Sequence, residues 1–588
     1  MSGPIGSSQW MYSSGSASFF SHTIDQSLRF NNDDQPGLRI TFGSDGTSQA
    51  LGTFSWWMKR CTFGASQENI YFEGSGYGGI QLRSDKLAVN SFDSSNTQVI
   101  VQTDAVLRDP SAWYHCVVSV NGTAGTIKFY INGTEQAQTV TNGSLASSRS
   151  WDFLSHDSRR TFDIGDSSGS QAPDAYLAEF HYIDGQAYDA SYFGETKDGV
   201  WVPKAYSGSH GTNGFHLPFD DSSAIGDDES ANTNDFTPSN LAASDVVPDT
   251  PTNNFCTWNT LDKYLYNAPT EGGLRALTAG NNGTQNSTFA VSSGKWYWEA
   301  RNQSAHSGTM VRLIGIAKEN TNLNTTPYNN SDCYLYYGGD GNKYNGGSQG
   351  SYGDAFGSDG DIVGVAFDAD NGAIWFSKNG TWQNSATASE IAAGTTTNAA
   401  FTGISGTYVM MVSKTGGTSS NDGHHANFGQ DSTFAGQITA GGNSDSQGIG
   451  DFKYAPPSGF LALCTSNLPD PTIGPGQATQ ADDNFNTVLY TGNGNNPHAI
   501  TGVGFQPDWV WIKDRDATFN HQLFDVIRGA DIALRSNLSN AEQDFDSFVS
   551  FDSDGFSVTG ANGTNKNSAA HVSWNWKAGG APTADNSA

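Results

Sequence analysis

Apolar and polar residues alternate in short runs along this chain, and Gly, Asn and Asp bound the runs more often than helix caps do. SLRFN at Ser27–Asn31 and FSWWMKR at Phe54–Arg60 have the period-two pattern of half-buried strands. AWYHCVVSV at Ala112–Val120 passes through Asn121-Gly122 into TIKFYINGTE, where Asn132-Gly133 supplies a tight turn needing φ above zero. The stretch Tyr176–Tyr206 predicts a last core strand, a turn at Asp184-Gly185, a short capped helical turn from about Asp189 and an apolar exit through Val200, Trp201 and Val202. Together these elements close a first β-sandwich over residues 18–205.

Residues 206–265 are polar, acidic and poor in periodic apolar positions, the composition of a linker. Yet GFHLPF at Gly214–Phe219 alternates, and Phe236, Val247 and Phe255 recur like anchors, which predicts an ordered strap lying on module surfaces. A second sandwich is expected over 266–466, with strands in GKWYWEARN (Gly294–Asn302), LIGIAKEN from Leu313, the hairpin Gly360–Trp382 and ANFGQ (Ala426–Gln430). A linker at 467–479 leads to a third, β-rich module at 480–580, followed by a tail at 581–588; residues 1–17 form a lead that docks elsewhere. The fold class is therefore all-β, with tandem antiparallel β-sandwich modules joined by an ordered strap.

Composition agrees with this pattern. At ~100–200 residues per domain, 588 residues hold several cores. With 69 Gly, 12% aromatic and 15% charged residues, turns should be many and helices few. A net charge of -30, from 59 acidic and 29 basic side chains, disfavours nucleic acid and anionic membranes as partners. No window nears the ~20 apolar residues of a membrane span, and the first residues lack a secretory signal's basic end and apolar stretch. The five cysteines, Cys61, Cys116, Cys256, Cys333 and Cys464, are odd in number and far apart, so they read as small core residues rather than disulfides or zinc ligands. Sequons such as those at Asn132 and Asn379 are read as Asn-Gly turns. No cofactor is indicated.

Candidate chemistry concentrates between Tyr328 and Gly357, a stretch dense in Tyr, Asn and Gly. Tyrosine with small polar neighbours makes adaptable recognition surfaces, because its ring gives rigid contact area and its hydroxyl hydrogen-bonds. Tyr337, Tyr344 and Tyr352, taken as loop-facing, are the ligand-binding candidates together with Asn342 and Asn345, while Tyr334 and Tyr336 are expected in the core. His115, alone on a core strand, is expected to be a satisfied packing residue. Asp368-Ala-Asp370-Asn371-Gly372 and Asp552-Ser-Asp554-Gly555 lack the further ligands of a calcium loop, and His424-His425 lacks a third ligand, so no metal site is indicated. Asp514, Arg515, Asp525 and Arg528 suit solvated or structural ion pairs. Glycoside hydrolysis needs two carboxylates at fixed separation. Glu179 and Glu299 each lack a carboxylate partner two residues on, and no E-x-D-x-x-E strand occurs, so no catalytic residue is assigned and the chain is not expected to be an enzyme.

Three sets of residues carry family resemblances. Trp113, His115, Tyr130, Asn132 and Gly133, followed by FDIGDS at Phe162 and YLAEFHYIDG at Tyr176, resemble the laminin-G/concanavalin A-like family. W-Y-W-E, I-G-I, G-D-x-x-G-V-x-x-D and I-x-F-S-x-N-G, in that order, resemble the SPRY (B30.2-like) sandwich. G-V-G-F-Q-P-D-x-V-W-I-K, F-D-x-x-R-G, S-D-G-F and W-x-W-K-A-G-G are similar to a C-terminal module of phage appendage proteins, and Asp249–Phe255 is similar to a segment that joins such modules. The combination resembles tail-fibre or appendage proteins of tailed, cyanophage-like marine phages. What the resemblance implies is a virion structural protein, assembled in the host cytoplasm, that binds a host-surface glycan or protein during adsorption. It further implies a homotrimer whose N-terminal segment docks on other tail or baseplate proteins. The alternative is a purely structural virion part, a head decoration or a connector between fibre proteins; a polysaccharide-degrading enzyme ranks behind both.

Overall fold

The computed structural model describes residues 3–4, 19–74, 78–92, 97–154, 160–166, 171–197, 199–279, 283–303, 311–324, 326–415, 422–469 and 481–578. The chain divides into two compact units, Met1–Asp470 and Pro471–Ala588. The all-β expectation holds: among the described residues the α-helices are the single turns Ala388–Ala392 and Asn562–Asn565. Among the described residues no helix is long and apolar enough to cross a membrane. The five cysteines are buried free thiols, as their apolar contexts predicted. Most of the expected lead, most of the 467–479 linker and the whole 581–588 tail lie outside the described residues.

In the first sandwich the front sheet runs, neighbour by neighbour, through Thr134–Glu135, Thr126–Ile131, Trp113–Asn121, Leu51–Arg60, Ala175–Asp184, Ser27–Phe30 and Val246–Val247, with Phe215–Leu217 also paired to Ala175–Asp184. The back sheet has eight antiparallel strands, ending in Gly37–Thr41 and Thr237–Ser239. Inward residues of both sheets make one core, where Phe54 stacks on Tyr182 at 4.4 Å and Tyr71 on Phe162 at 5.0 Å. The strap thus contributes strands to both sheets, and two of them lie at sheet ends, where backbone groups would otherwise be left unpaired. Its anchors Phe236, Val247 and Phe255 are buried. The Asn132-Gly133 turn has φ of +48° and +79° as the sequence required. Trp201 roofs it so closely that a Cβ on Gly133 would fall 2.4 Å from the indole.

The second sandwich pairs a six-stranded sheet, Arg275–Leu277, Gly423–Asn427, Lys295–Gln303, Ile362–Asp368, Ala373–Lys378 and Thr381–Trp382, with an eight-stranded one. The latter passes through Gly283–Val291, Tyr408–Thr415, Val311–Lys318, Cys333–Tyr337, Asn342–Tyr344 and Ser348–Ser351. Gly3–Pro4 and Trp258–Tyr264 both pair with Gly283–Val291. Trp258 meets Trp298 edge-on at 5.8 Å in the core between the sheets.

Charged side chains join the two sandwiches. Lys59 Nζ donates to Asp249 Oδ2 (2.7 Å), Asn254 Oδ1 (2.7 Å) and Phe255 O (2.6 Å), with neither partner of the ion pair exposed. Arg29 donates to Asp431 (2.9 Å) and Asp245 (3.1 Å), and Tyr176 Oη to Gly272 O (2.7 Å). Buried ions are tolerated only when paired and hydrogen-bonded this fully.

The C-terminal unit is a six-stranded sheet, Phe485–Thr491, Ala570–Trp576, Trp509–Asp514, Gln522–Asp525, Gly529–Leu534 and Gln543–Asp544, with a three-stranded one of His498–Thr501, Gly555–Val558 and Phe548–Asp552. Val510, Ile512, Phe524, Phe548 and Phe556 form its core. Of the expected polar residues, Asp525 pairs with Arg528, and buried Asp514 accepts the backbone N–H groups of Asp516 and Ala517.

Candidate functional site

Strand alternation decides the fate of the tyrosines in Cys333–Tyr337. Successive side chains point to opposite faces. Tyr336 enters the core, stacking on Phe376 at 5.4 Å and donating its hydroxyl to Asp354 O, and Tyr334 packs against the same core. Tyr337 falls on the outer face. There it lies 5.1 Å from the Tyr344 ring, and Tyr344 lies 5.9 Å from Tyr328, over an apolar bed of Leu313, Cys333, Leu335 and Met411. All three rings are half-buried, and their hydroxyls have no hydrogen-bond partner among the described residues. The adjoining edge strand Ser348–Ser351 is fully exposed.

Of the five residues singled out in sequence, Tyr337 and Tyr344 meet, and Asn342 begins the Asn342–Tyr344 strand beside them with its amide donating to Asp340 (2.8 Å). Asn345 spends its amide on Ser331 O (2.6 Å) and Cys333 O (2.9 Å), so its donor locks the turn instead of facing a ligand. Tyr352 is not loop-facing: it is 5% exposed, packs edge-on to Tyr336 at 5.6 Å, and its hydroxyl accepts the N–H of Phe376 at 3.2 Å. The chain doubles back after Ser351 and drops this ring into the core, a re-entry that a Gly-rich loop composition does not reveal.

The first sandwich carries a different constellation. His115 is the packing residue expected: Trp201 Nε1 donates to its Nδ1 (2.9 Å), which leaves Nε2–H for Ser55 Oγ (2.9 Å). Burial pushes its pKa down to about 3. Beside it, Glu179 occupies a bulge with φ +49°, where the register of Ala175–Asp184 against Leu51–Arg60 shifts. Its Oε2 lies 3.1 Å from His216 Nε2, 3.3 Å from His22 Nε2 and 3.4 Å from His181 Nε2. Burial opposes ionisation of Glu179, but the imidazoles around it hold its carboxyl well below the ordinary value. Burial also takes His181 down to about 3, keeping it neutral. Sequence reasoning missed this cluster; its signal was Glu-x-His in EFH combined with the alternating GFHLPF of the strap.

Glu299 is fully buried and accepts from Lys453 N (2.9 Å), Tyr454 N (2.8 Å), Asn427 Nδ2 (3.1 Å) and Tyr297 Oη (3.1 Å), with burial lifting its pKa to about 7. It fastens a loop. The acidic turns behave likewise, Asp368 accepting from Asn371 and Asp554 from the N–H groups of Gly502 and Gly504. A cavity of about 230 Å³ lies among Phe20, Trp57, Trp113 and Trp201. Its polar lining is already committed: Asn254 to Lys59 and Ser111, Thr252 to Ile24, and Trp113 Nε1 to Asp249.

Comparison with known proteins places families on the three modules. Residues 31–187 match the concanavalin A-like lectin/glucanases superfamily, 295–414 the SPRY domain, and 480–588 a domain of unknown function, DUF7483. No curated protein matches the chain. Among solved structures, the SPRY domain of human HERC1 is 20% identical over 29% of this chain and 94% of its own, with a TM-score of 0.24. A candidate carbohydrate binding protein of Bacteroides ovatus is 14% identical over 37% of this chain and 58% of its own (TM-score 0.28). A heptameric SAP-like pentraxin from Limulus polyphemus is 16% identical over 28% of this chain and 78% of its own (TM-score 0.21). The chain carries a concanavalin A-like module and a SPRY module, in the order in which their residues were read from the sequence.

Proposed function

We propose that this chain is a non-enzymatic virion appendage subunit that binds a host-surface glycan or protein through the Tyr328, Tyr337 and Tyr344 face of its SPRY module. The observation that carries this reading is the set of three adjacent, half-buried rings whose hydroxyls are left without protein partners. Such a face offers stacking area and hydrogen bonds to a sugar ring or a polar peptide at small entropic cost. The lectin-like family match supports a binding role, and the resemblance to phage appendage proteins read from the sequence supports the virion setting. In this setting the subunit is a homotrimer in the tail, docked to tail or baseplate proteins through its lead. Light scattering showing a monomer at micromolar concentration removes the trimer.

The test is binding of the full chain to a glycan array and to host cells, beside a Tyr337→Ala/Tyr344→Ala variant. Binding should weaken about tenfold or more, ~1.4 kcal/mol; equal binding by a folded variant refutes this face. New reducing ends on incubation with host polysaccharide would overturn the non-enzymatic part.

A purely structural part is the second reading, favoured by the outward face of the C-terminal six-stranded sheet. Phe485 and Leu489 are exposed there, and Trp509 stacks on Trp576 at 4.3 Å with both rings half-exposed, a face suited to a protein neighbour. Imaging labelled protein on the virion separates the readings: a distal tail position supports receptor binding, and capsid or baseplate burial supports the connector.

A further inference from the structure

Glu179 and His181 stand two apart on the Ala175–Asp184 strand, and His216 is the cross-strand partner of His181 on Phe215–Leu217. Residues two apart share a strand face, and cross-strand partners have Cβ atoms about 5 Å apart, so two neighbouring strands deliver three donors to one point. These three are the His/Cys/Asp/Glu group among the described residues whose ligand atoms all lie within 4.8 Å of one another. His22 approaches from the segment just before Ser27–Phe30, separate from both strands. Its Nε2 is buried, 3.3 Å from Glu179 Oε2, and makes no hydrogen bond.

Glu179 Oε2 is 3.1, 3.3 and 3.4 Å from the three imidazole nitrogens. Donors bound to tetrahedral zinc at about 2.0–2.1 Å stand about 3.4 Å from each other. We infer that Glu179, His181 and His216, completed by His22, form a binding site for a zinc-class divalent cation that pins the segment before Ser27–Phe30 and the strap to the front sheet of the first sandwich. Three imidazoles and one carboxylate are a donor set that suits zinc rather than calcium or magnesium. His210 supplies the support such sites use: its Nε2 lies 3.2 Å from His181 Nδ1, so a hydrogen bond there leaves His181 Nε2 bare for the metal. The His181 and His216 rings stack nearly parallel at 4.1 Å, so loading turns one of them until its lone pair meets the ion in the ring plane. His216 has the room, with 21% of its side chain exposed against 6% for His181.

The site is independent of whatever the tyrosine face binds. Its test uses the full chain stripped by chelator and titrated with Zn²⁺ and then Co²⁺, read by metal analysis and by the visible spectrum of the cobalt form. About one ion per chain, with the intense absorption of four-coordinate cobalt, is the expected result. Glu179→Gln and His216→Asn should bind about a hundredfold more weakly, while His521→Asn, in the C-terminal unit, binds as wild type. Should either of the first two fail to fold, His22→Gln, on the half-exposed segment before Ser27–Phe30, serves in its place: the cobalt spectrum loses its four-coordinate character while the fold stays. A folded wild-type chain that takes up no ion, or uptake equal in wild type, His22→Gln and Glu179→Gln, overturns the inference.

Discussion

The outer faces of two sheets, one in each sandwich, bear similar aromatic side chains and end in opposite states. On the front sheet of the concanavalin A-like module, Trp113 and Tyr176 are covered by the strap and neighbouring chain, with Trp201 of the Val200–Pro203 strand packed over the same face, and each polar ring atom is spent: Trp113 on Asp249 (3.1 Å), Tyr176 on Gly272 O (2.7 Å) and Trp201 on His115 (2.9 Å). On the eight-stranded sheet of the SPRY module, Tyr328, Tyr337 and Tyr344 lie over an equally apolar bed, but their hydroxyls are left to water. The first aromatic face is therefore structural, while the second keeps its hydroxyls free of protein partners. Counting aromatics does not separate the two faces; asking where each polar atom is satisfied does.

The largest blow to the sealed face is Lys59→Met. It leaves Asp249 buried without its cation and should cost about 3–5 kcal/mol in the denaturant unfolding of the Met1–Asp470 unit, with tyrosine-face binding retained wherever the chain is still folded. Acid is a second route. Burial, acting before the nearby guanidinium groups of Arg29, Arg275 and Arg301, and against Asp431, lowers His425 from 6.5 to about 3. The unfolded chain protonates there first, so this contribution is complete above pH 6.5 and is lost as the pH falls towards 3. Between pH 7 and 5 the loss is on the order of 2 kcal/mol, and a His425→Phe variant should show a correspondingly flatter pH dependence of the urea midpoint. Gly133→Ala tests the Trp201 roof: a Cβ at φ +79° and 2.4 Å from the indole should cost about 1–3 kcal/mol by thermal unfolding. The smallest pair sharpens the comparison most. Tyr336→Phe removes a buried hydrogen bond and should cost about 1 kcal/mol, whereas Tyr337→Phe, one residue on, should change stability by less than about 0.5 kcal/mol and act only on binding.

Where a local turn signal governed, the sequence was enough: Asn132-Gly133 turned with positive φ. Tyr334 and Tyr336 went inward as the SPRY resemblance implies, and the SPRY strands lie where W-Y-W-E and G-D-I-V-G-V were read; Ile362–Asp368 is buried along its whole length, a continuous apolar run bounded by turns. Tyr352 was misread because its burial depends on where the chain returns after an exposed edge strand, which no local pattern encodes. The Glu179 cluster stayed hidden for a related reason. A bulge re-aims Glu179, and its partners arrive from 37 residues downstream on the strap and from the segment before Ser27–Phe30. Nor could periodicity have named Asp249 as the partner of Lys59, 190 residues apart.

Arg29 and Asp431 are separated by 402 positions. At the about 5–20 residues per second of protein synthesis, Arg29 leaves the ribosome roughly 20–80 s before Asp431 exists. Asp245, on the strap, is made about halfway through that interval, so for the rest of it the Ser27–Phe30 strand belongs to a sandwich that lacks one of the two carboxylates Arg29 pairs with in the finished protein. The SPRY module is thus the last structural part of its upstream neighbour as well as a module of its own, and a chain stopped between them would be released with Arg29 held by Asp245 without Asp431.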